Sequence, residues 1–168
     1  MAFDNPILQP FISYVDVISE VVASIPDARK PKLFTYGDGE YIADLLTALS
    51  QSRSKRSSIY PMIAVLNDFP EVEDVITVQM VFANSTRKEY TNDQRKDNNF
   101  VPVLQPMLDA FFDACRRHPR IDGRYDFQHE KYDLYSLGRK AIFDNRILLN
   151  EYVDAIQVRN LKLQILKK

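Results

Sequence analysis

One cysteine among 168 residues excludes an intramolecular disulfide framework and any multi-cysteine zinc site. Two histidines, in different local settings, leave little for a zinc enzyme. Four glycines and nine prolines are too few for a linker or a disordered tail. Neither sign of charge dominates: 22 Lys+Arg stand against 23 Asp+Glu, a formal net charge of -1. No global field is available to hold a polyanion, which argues against a dedicated nucleic-acid coating protein. No apolar run approaches a membrane span, and residues 1–10 lack a basic region followed by an apolar stretch. The expectation is a soluble, non-secreted chain without a membrane partner. What the sequence does have is bulk for packing, with 45% hydrophobic residues, 10 Phe and 9 Tyr. At roughly 150 residues per domain, residues 1–168 read as a single domain with a real core.

Periodicity predicts the elements in turn. Asp4-Asn5-Pro6 reads as a helix start, and apolar residues from Ile7 to Ile25 recur at helical spacing until Pro26. Residues 32–36 form a short strand leading into Gly37-Asp38-Gly39, and Asp38 caps a second helix striped by Tyr41, Ile42, Leu45, Leu46 and Leu49. Residues 59–66 read as a strand, and residues 67–74 as a turn. In residues 75–82, Ile76, Val78, Met80 and Phe82 alternate with Thr77 and Gln79, the pattern of an antiparallel strand covered on one side. The strongest helical stripe runs from Phe100 to Cys115, with Pro102 and Pro106 delaying regular helix to Gln105 or Pro106. Residues 125–134 read as a strand and 137–149 as a connector of undefined structure. Residues 153–166 form a long last strand. Its apolar parity switches between Val158 and Leu161, which predicts a β-bulge at Arg159-Asn160. The expected class is therefore α+β: a bent, mostly antiparallel sheet with three main helices on one face and a long bulged C-terminal strand.

Candidate chemistry is sparse. His118 follows two arginines at a helix end, where a cation suits the dipole. His129 sits in a charged strand, and neither histidine has a nucleophile nearby in sequence. Cys115 lies in an apolar stripe and reads as a buried small hydrophobe. Glu71, Glu73 and Asp74 precede a strand and Glu130-Lys131 lies on another; they read as a solvated turn rather than a converging two-metal site. Gly37-Asp38-Gly39 lacks the Gly-Lys-Ser/Thr ending of a phosphate loop and the third glycine of a dinucleotide fingerprint. No catalytic, cofactor-binding or metal-binding residue is assigned.

Two polar segments stand out. Arg53, Lys55 and Arg56 lie among serines, able to meet phosphates or an acidic surface. Residues 84–99 form a long polar loop or arm with Arg87, Lys88, Glu89, Tyr90, Asp93, Arg95, Lys96 and Asp97. Its mixed charge fits a protein–protein contact better than a phosphate clamp.

The opening helix is followed by a strand led by Tyr60-Pro61-Met62-Ile63, an Ile-Thr-Val-type central strand and a proline-containing helix. The long terminal strand with Val153-Asp154-Ala155-Ile156-Gln157-Val158 completes the order. This layout resembles the tail-terminator and tail-completion proteins of tailed bacteriophages and, more specifically, ring proteins of crAss-like phages. The resemblance covers most of the chain as architecture, without a short motif. It implies a virion protein, assembled in the host cytoplasm, whose copies close head-to-tail into a ring in the neck or tail. Other neck or tail proteins would be its partners, and DNA would meet it only in transit. It further implies that residues 87–99 reach a neighbouring subunit or ring, and that Arg53, Lys55 and Arg56 line the lumen or a stacking surface. Two other readings stand beside it: a small metal-dependent nuclease using Glu71, Asp74 or Glu130, and a monomeric adaptor that binds a peptide by strand addition.

Overall fold

The computed structural model describes residues 13–42, 44, 59–135, 140–142, 147–149 and 153–166. The first described element is helix α1 (Tyr14–Ala23), whose N-cap Ser13 accepts from the Asp16 N–H and which ends just before Ile25-Pro26. The predicted start of this helix at residues 4–12 lies outside the described residues. Strand β1 (Leu33–Gly37) follows, and Asp38 then does what its position predicts. Its Oδ1 accepts the Tyr41 N–H at 2.7 Å and its carbonyl accepts the Ile42 N–H at 3.1 Å, so residues 39–42 are helical. Leu45, Leu46 and Leu49 of the predicted stripe lie outside the described residues.

Strand β2 (Met62–Leu66) is followed by β3 (Glu71–Val72) and β4 (Val75–Ser85). Glu73 and Asp74 both have positive φ, 52° and 67°, the backbone of a two-residue hairpin turn between β3 and β4. Next come a short helix α2 (Asn92–Arg95), a π-helical stretch Lys96–Leu104 and helix α3 (Gln105–Arg117). Regular α-helix thus begins at Gln105, as the two prolines require. Strand β5 (Glu130–Tyr135), a self-paired hairpin of β6 (Lys140–Ile142) and β7 (Ile147–Leu149), and β8 (Val153–Gln164) complete the chain.

The main sheet runs β1-β2-β4-β8-β5, with β3 beside β4. All its pairings are antiparallel except β1 with β2, which is parallel. A parallel neighbour needs a crossover connection, and residues 38–61 supply it. β8 is the longest strand and the bulge falls where parity predicts it. Val78 opposes Leu161 and Met80 opposes Val158, so Gln79 faces both Arg159 and Asn160. Asn160 takes φ 54°, and its N–H and side-chain amide exchange hydrogen bonds with Gln79 at 3.1 Å each. The extra residue lets Ile156, Val158, Leu161, Leu163 and Ile165 all point to one side.

That side is the larger core, where α1 and α3 cover the sheet through Ile18, Val21, Leu108 and Phe111, with Phe82 edge-on to Phe111 at 5.7 Å. Each fully buried aliphatic or aromatic side chain of this layer contributes about 1.5–3 kcal/mol of transfer free energy. The other side is also closed. Met62, Ala64, Leu66, Val81, Ala83 and Ala155 form a second cluster that includes Ile42. The expectation of three helices on one face holds for α1 and α3 only: the helical residues 39–42, the start of the predicted second helix, serve the opposite face through Ile42. β2 is buried at every position because both faces are covered.

Candidate functional site

The segment singled out for its polarity is not a free arm. β4 continues to Ser85, and Thr91 then opens α2 with a capping box: its hydroxyl accepts the Gln94 N–H while Gln94 Oε1 accepts the Thr91 N–H. Pro102 falls inside the next helical stretch, where it has no N–H to give. The ladder widens there, and the Gln105 N–H reaches back five residues to the Phe100 carbonyl. The wider turn keeps Arg95, Asn99, Phe100 and Leu104 all buried.

Arg95 has 0% exposure and Asp154, at the start of β8, also has 0%. Nη1 of Arg95 meets Asp154 Oδ1 at 3.2 Å. The second carboxylate oxygen accepts from Asn99 Nδ2 at 2.7 Å, and Asn99 Nδ2 also donates to the Ser85 carbonyl at 3.2 Å. Asn84 Nδ2 in turn donates to Asn99 Oδ1 at 2.9 Å. The remaining guanidinium N–H groups run outward to the chain above. Nε donates to the Tyr90 carbonyl at 3.2 Å, and Nη2 to the carbonyls of Arg87 at 3.0 Å and Lys88 at 3.4 Å. One buried cation thus holds the loop of residues 86–91 by its backbone, while the Arg87, Lys88 and Glu89 side chains stay exposed.

That loop borders an open basin of about 630 Å³ lined by Arg87, Lys88, Glu89, Tyr90 and Gln94. The Arg87 guanidinium lies 5.7 Å from the centre of the Tyr90 ring. On the other flank of Asp154, Tyr135 pairs with it across β5 and its ring stacks on Phe100 at 4.4 Å. Partial burial, then the charges of Asp133, Asp154 and Asp93, raise the Tyr135 phenol above its ordinary value. The site is hydrogen-bonded inside and charged outside.

Arg95 was expected among surface contact residues and is instead a buried anchor; its charge is spent within the fold. Arg87, Lys88, Glu89, Asp93, Lys96 and Asp97 are exposed and Tyr90 is half-buried. Arg53, Lys55 and Arg56 lie outside the described residues. Asp154 and Asn99 were missed. The signal for Asp154 is that it shares the parity of Ile156 and Val158, so a carboxylate falls on a core face. Arg95 and Asn99 likewise extend the Phe100–Leu104 stripe towards the N-terminus.

The other candidates make contacts within the fold. His118 accepts the Arg120 N–H at Nδ1 (3.1 Å), so Nε2 carries the proton donated to Glu20 Oε2 at 2.7 Å. It ties the end of α3 to α1 through these two bonds. His129 Nδ1 donates to the Phe127 carbonyl at 2.7 Å, with its ring 4.9 Å from Phe112. Cys115 is buried, which pushes its thiol far above the usual range. Glu71 accepts from the Tyr14 hydroxyl, and Glu130 accepts from Asn160 Nδ2 at the bulge. Among the described residues no three His, Cys, Asp or Glu side chains are grouped to hold a metal ion, and no helix is long and apolar enough to cross a membrane. No family model, curated protein or solved structure matches the chain.

Proposed function

We infer that the chain is a structural, non-catalytic subunit of an oligomeric ring in the head–tail connector or tail of a tailed phage. In that role it would bridge neighbouring rings around the DNA channel. The observation that carries the interface part of this reading is the loop of residues 86–91. It is clamped from below by Arg95 and presents Arg87, Lys88, Glu89 and Tyr90 around an open basin. Ordering a surface loop before contact lowers the entropy lost on association, and this loop is ordered by a fully buried charge. The phage part rests on the resemblance in element order. Arg53, Lys55 and Arg56, just before Ile59 in the chain, keep their proposed place on the lumen or a stacking surface.

Light scattering over a concentration series, with negative-stain images of any large species, tests this reading. The expected result is a closed ring or a stack of rings. A strict monomer that remains monomeric with neck and tail proteins present refutes it. A second reading has one observation of its own: β5 ends the sheet with no partner on its outer side among the described residues. A peptide could add there as a strand, although Glu130, Lys131 and Asp133 blunt that edge. Capture of an extended peptide by a monomer would favour it.

A further inference from the structure

The strand directions sort the connections to two ends of the sheet, and the ends differ in charge. Leu33 pairs with Met62, Met62 with Ala83 and Ser85 with Val153. The α1–β1 connection and the loop after β4 therefore share one end. Arg29, Lys30 and Lys32 lie exposed on the first, Arg87 and Lys88 on the second and Lys96 just beyond it, against the exposed acids Asp27, Glu89, Asp93 and Asp97, which leaves this end net basic. At the opposite end Gly37 pairs with Leu66, and the Asn67 N–H donates to the Gly37 carbonyl at 3.1 Å. Here Asp38, Glu40 and Asp44 follow β1 and are exposed. Asp68, Glu71, Glu73 and Asp74 connect β2 to β4 and are exposed as well. Residues 38–44 and 67–74 contain no lysine or arginine. Arg120 and Arg124 share this end only on its β8 side, where Ile121 bridges Ile165.

A second feature falls at the same acidic end, with Tyr36 on the face of Phe34 and Tyr41 beside Gly37 on the other face. Tyr36, Tyr41 and Val72 are 47%, 54% and 73% exposed, half of the large hydrophobic side chains that stand out from the described surface. Apolar and aromatic surface within a charged rim is the anatomy of a protein contact. The two ends cannot neutralise each other in one molecule. β1 alone separates them by about 13 Å at 3.3 Å per residue, and solvent screens charges beyond about 8 Å at physiological salt.

We propose that the acidic end around Tyr36, Tyr41 and Val72 docks on the basic end, Arg29, Lys30, Arg87 and Lys88, of a second copy of this chain. Such a contact joins two different patches, so it repeats head-to-tail and closes into a ring when the rotation per copy allows. The proposal rests on the ring reading and adds to it which surfaces meet.

Charge reversal tests it. One chain carries Glu40→Lys, Asp44→Lys and Glu73→Lys; another carries Arg29→Glu, Arg87→Glu and Lys88→Glu; a third carries all six substitutions. Circular dichroism confirms folding, and light scattering at low and high salt reads assembly. Like charges facing each other cost several kcal/mol, so each single-end reversal should weaken association by at least about 100-fold. The chain with both ends reversed should assemble again, and so should an equimolar mixture of the two single-end variants. Wild-type assembly should weaken as salt rises. Assembly of the single-end variants at wild-type concentrations overturns this pairing and leaves the ring reading standing on other surfaces. A wild-type chain that stays monomeric at low salt overturns this pairing; the ring reading falls as well only if the chain also stays monomeric with neck and tail proteins present.

Discussion

Replacing Asp154 with alanine removes the acceptor for two buried donors at once. Arg95 loses its 3.2 Å ion pair, and Asn99 loses its 2.7 Å contact. The guanidinium keeps the carbonyls of Arg87, Lys88 and Tyr90, so it stays in place as a buried cation that has lost the Asp154 carboxylate. Breaking a buried pair from one side costs about 3–5 kcal/mol. For a domain of this size that lowers the melting temperature by roughly 6–20 °C, at about 2–4 °C per kcal/mol. Asp154→Asn should fall only somewhat short of this. One of its two side-chain positions becomes an NH2 facing a donor, and turning Asn99 to meet it would sacrifice the bonds to Asn84 and Ser85. Urea unfolding gives the stability from the midpoint and slope. Hydrogen exchange at residues 87–90 reports the loop, and it should accelerate in an Arg95→Met, Asp154→Leu double variant even though apolar packing restores much of the stability. A loss below about 1 kcal/mol in Asp154→Ala would refute the argument, since buried uncompensated charge cannot be that cheap. Unchanged exchange at 87–90 in the double variant would refute the clamp.

Three further outcomes follow from single positions. Cys115 should resist thiol reagents at mildly alkaline pH in the folded protein and react only as the chain unfolds, because burial holds it as the neutral thiol; rapid native labelling would contradict its placement. Asn160→Val should cost about 1–3 kcal/mol by thermal melting, since a β-branched residue is strained at φ 54°, whereas Asn160→Gly should stay well below that. Gly123→Ala places a Cβ 2.7 Å from the Arg116 carbonyl oxygen at the end of α3, and a loss of about 1–2 kcal/mol is expected in the same assay.

Features governed by neighbours in sequence were legible without the fold. The Asp38 cap, the start of α3 at Gln105, the burial of Cys115 and the bulge at Arg159-Asn160 depend on spacing, proline geometry and parity. The mostly antiparallel α+β class followed from the same cues. Of the candidate site, the location of the exposed charges at residues 87–90 was legible, but the element was not. Its capping box spans only Thr91 to Gln94, and the π-helical turn after it departs from the 3.6-residue period on which helices are recognised.

What tertiary structure alone decided is everything that depends on which strand lies beside which. β1 runs parallel to β2, a pairing that the strand–helix–strand order allows but does not by itself fix, and it gathers the acidic connections 38–44 and 67–74 at one end. Arg95 reads as solvated by its neighbours in sequence, yet it is buried because Asp154, distant in the chain, arrives on β8 to meet it. A charge is kept out of water only when a partner compensates it. Local sequence specifies the charge; the fold supplies the partner.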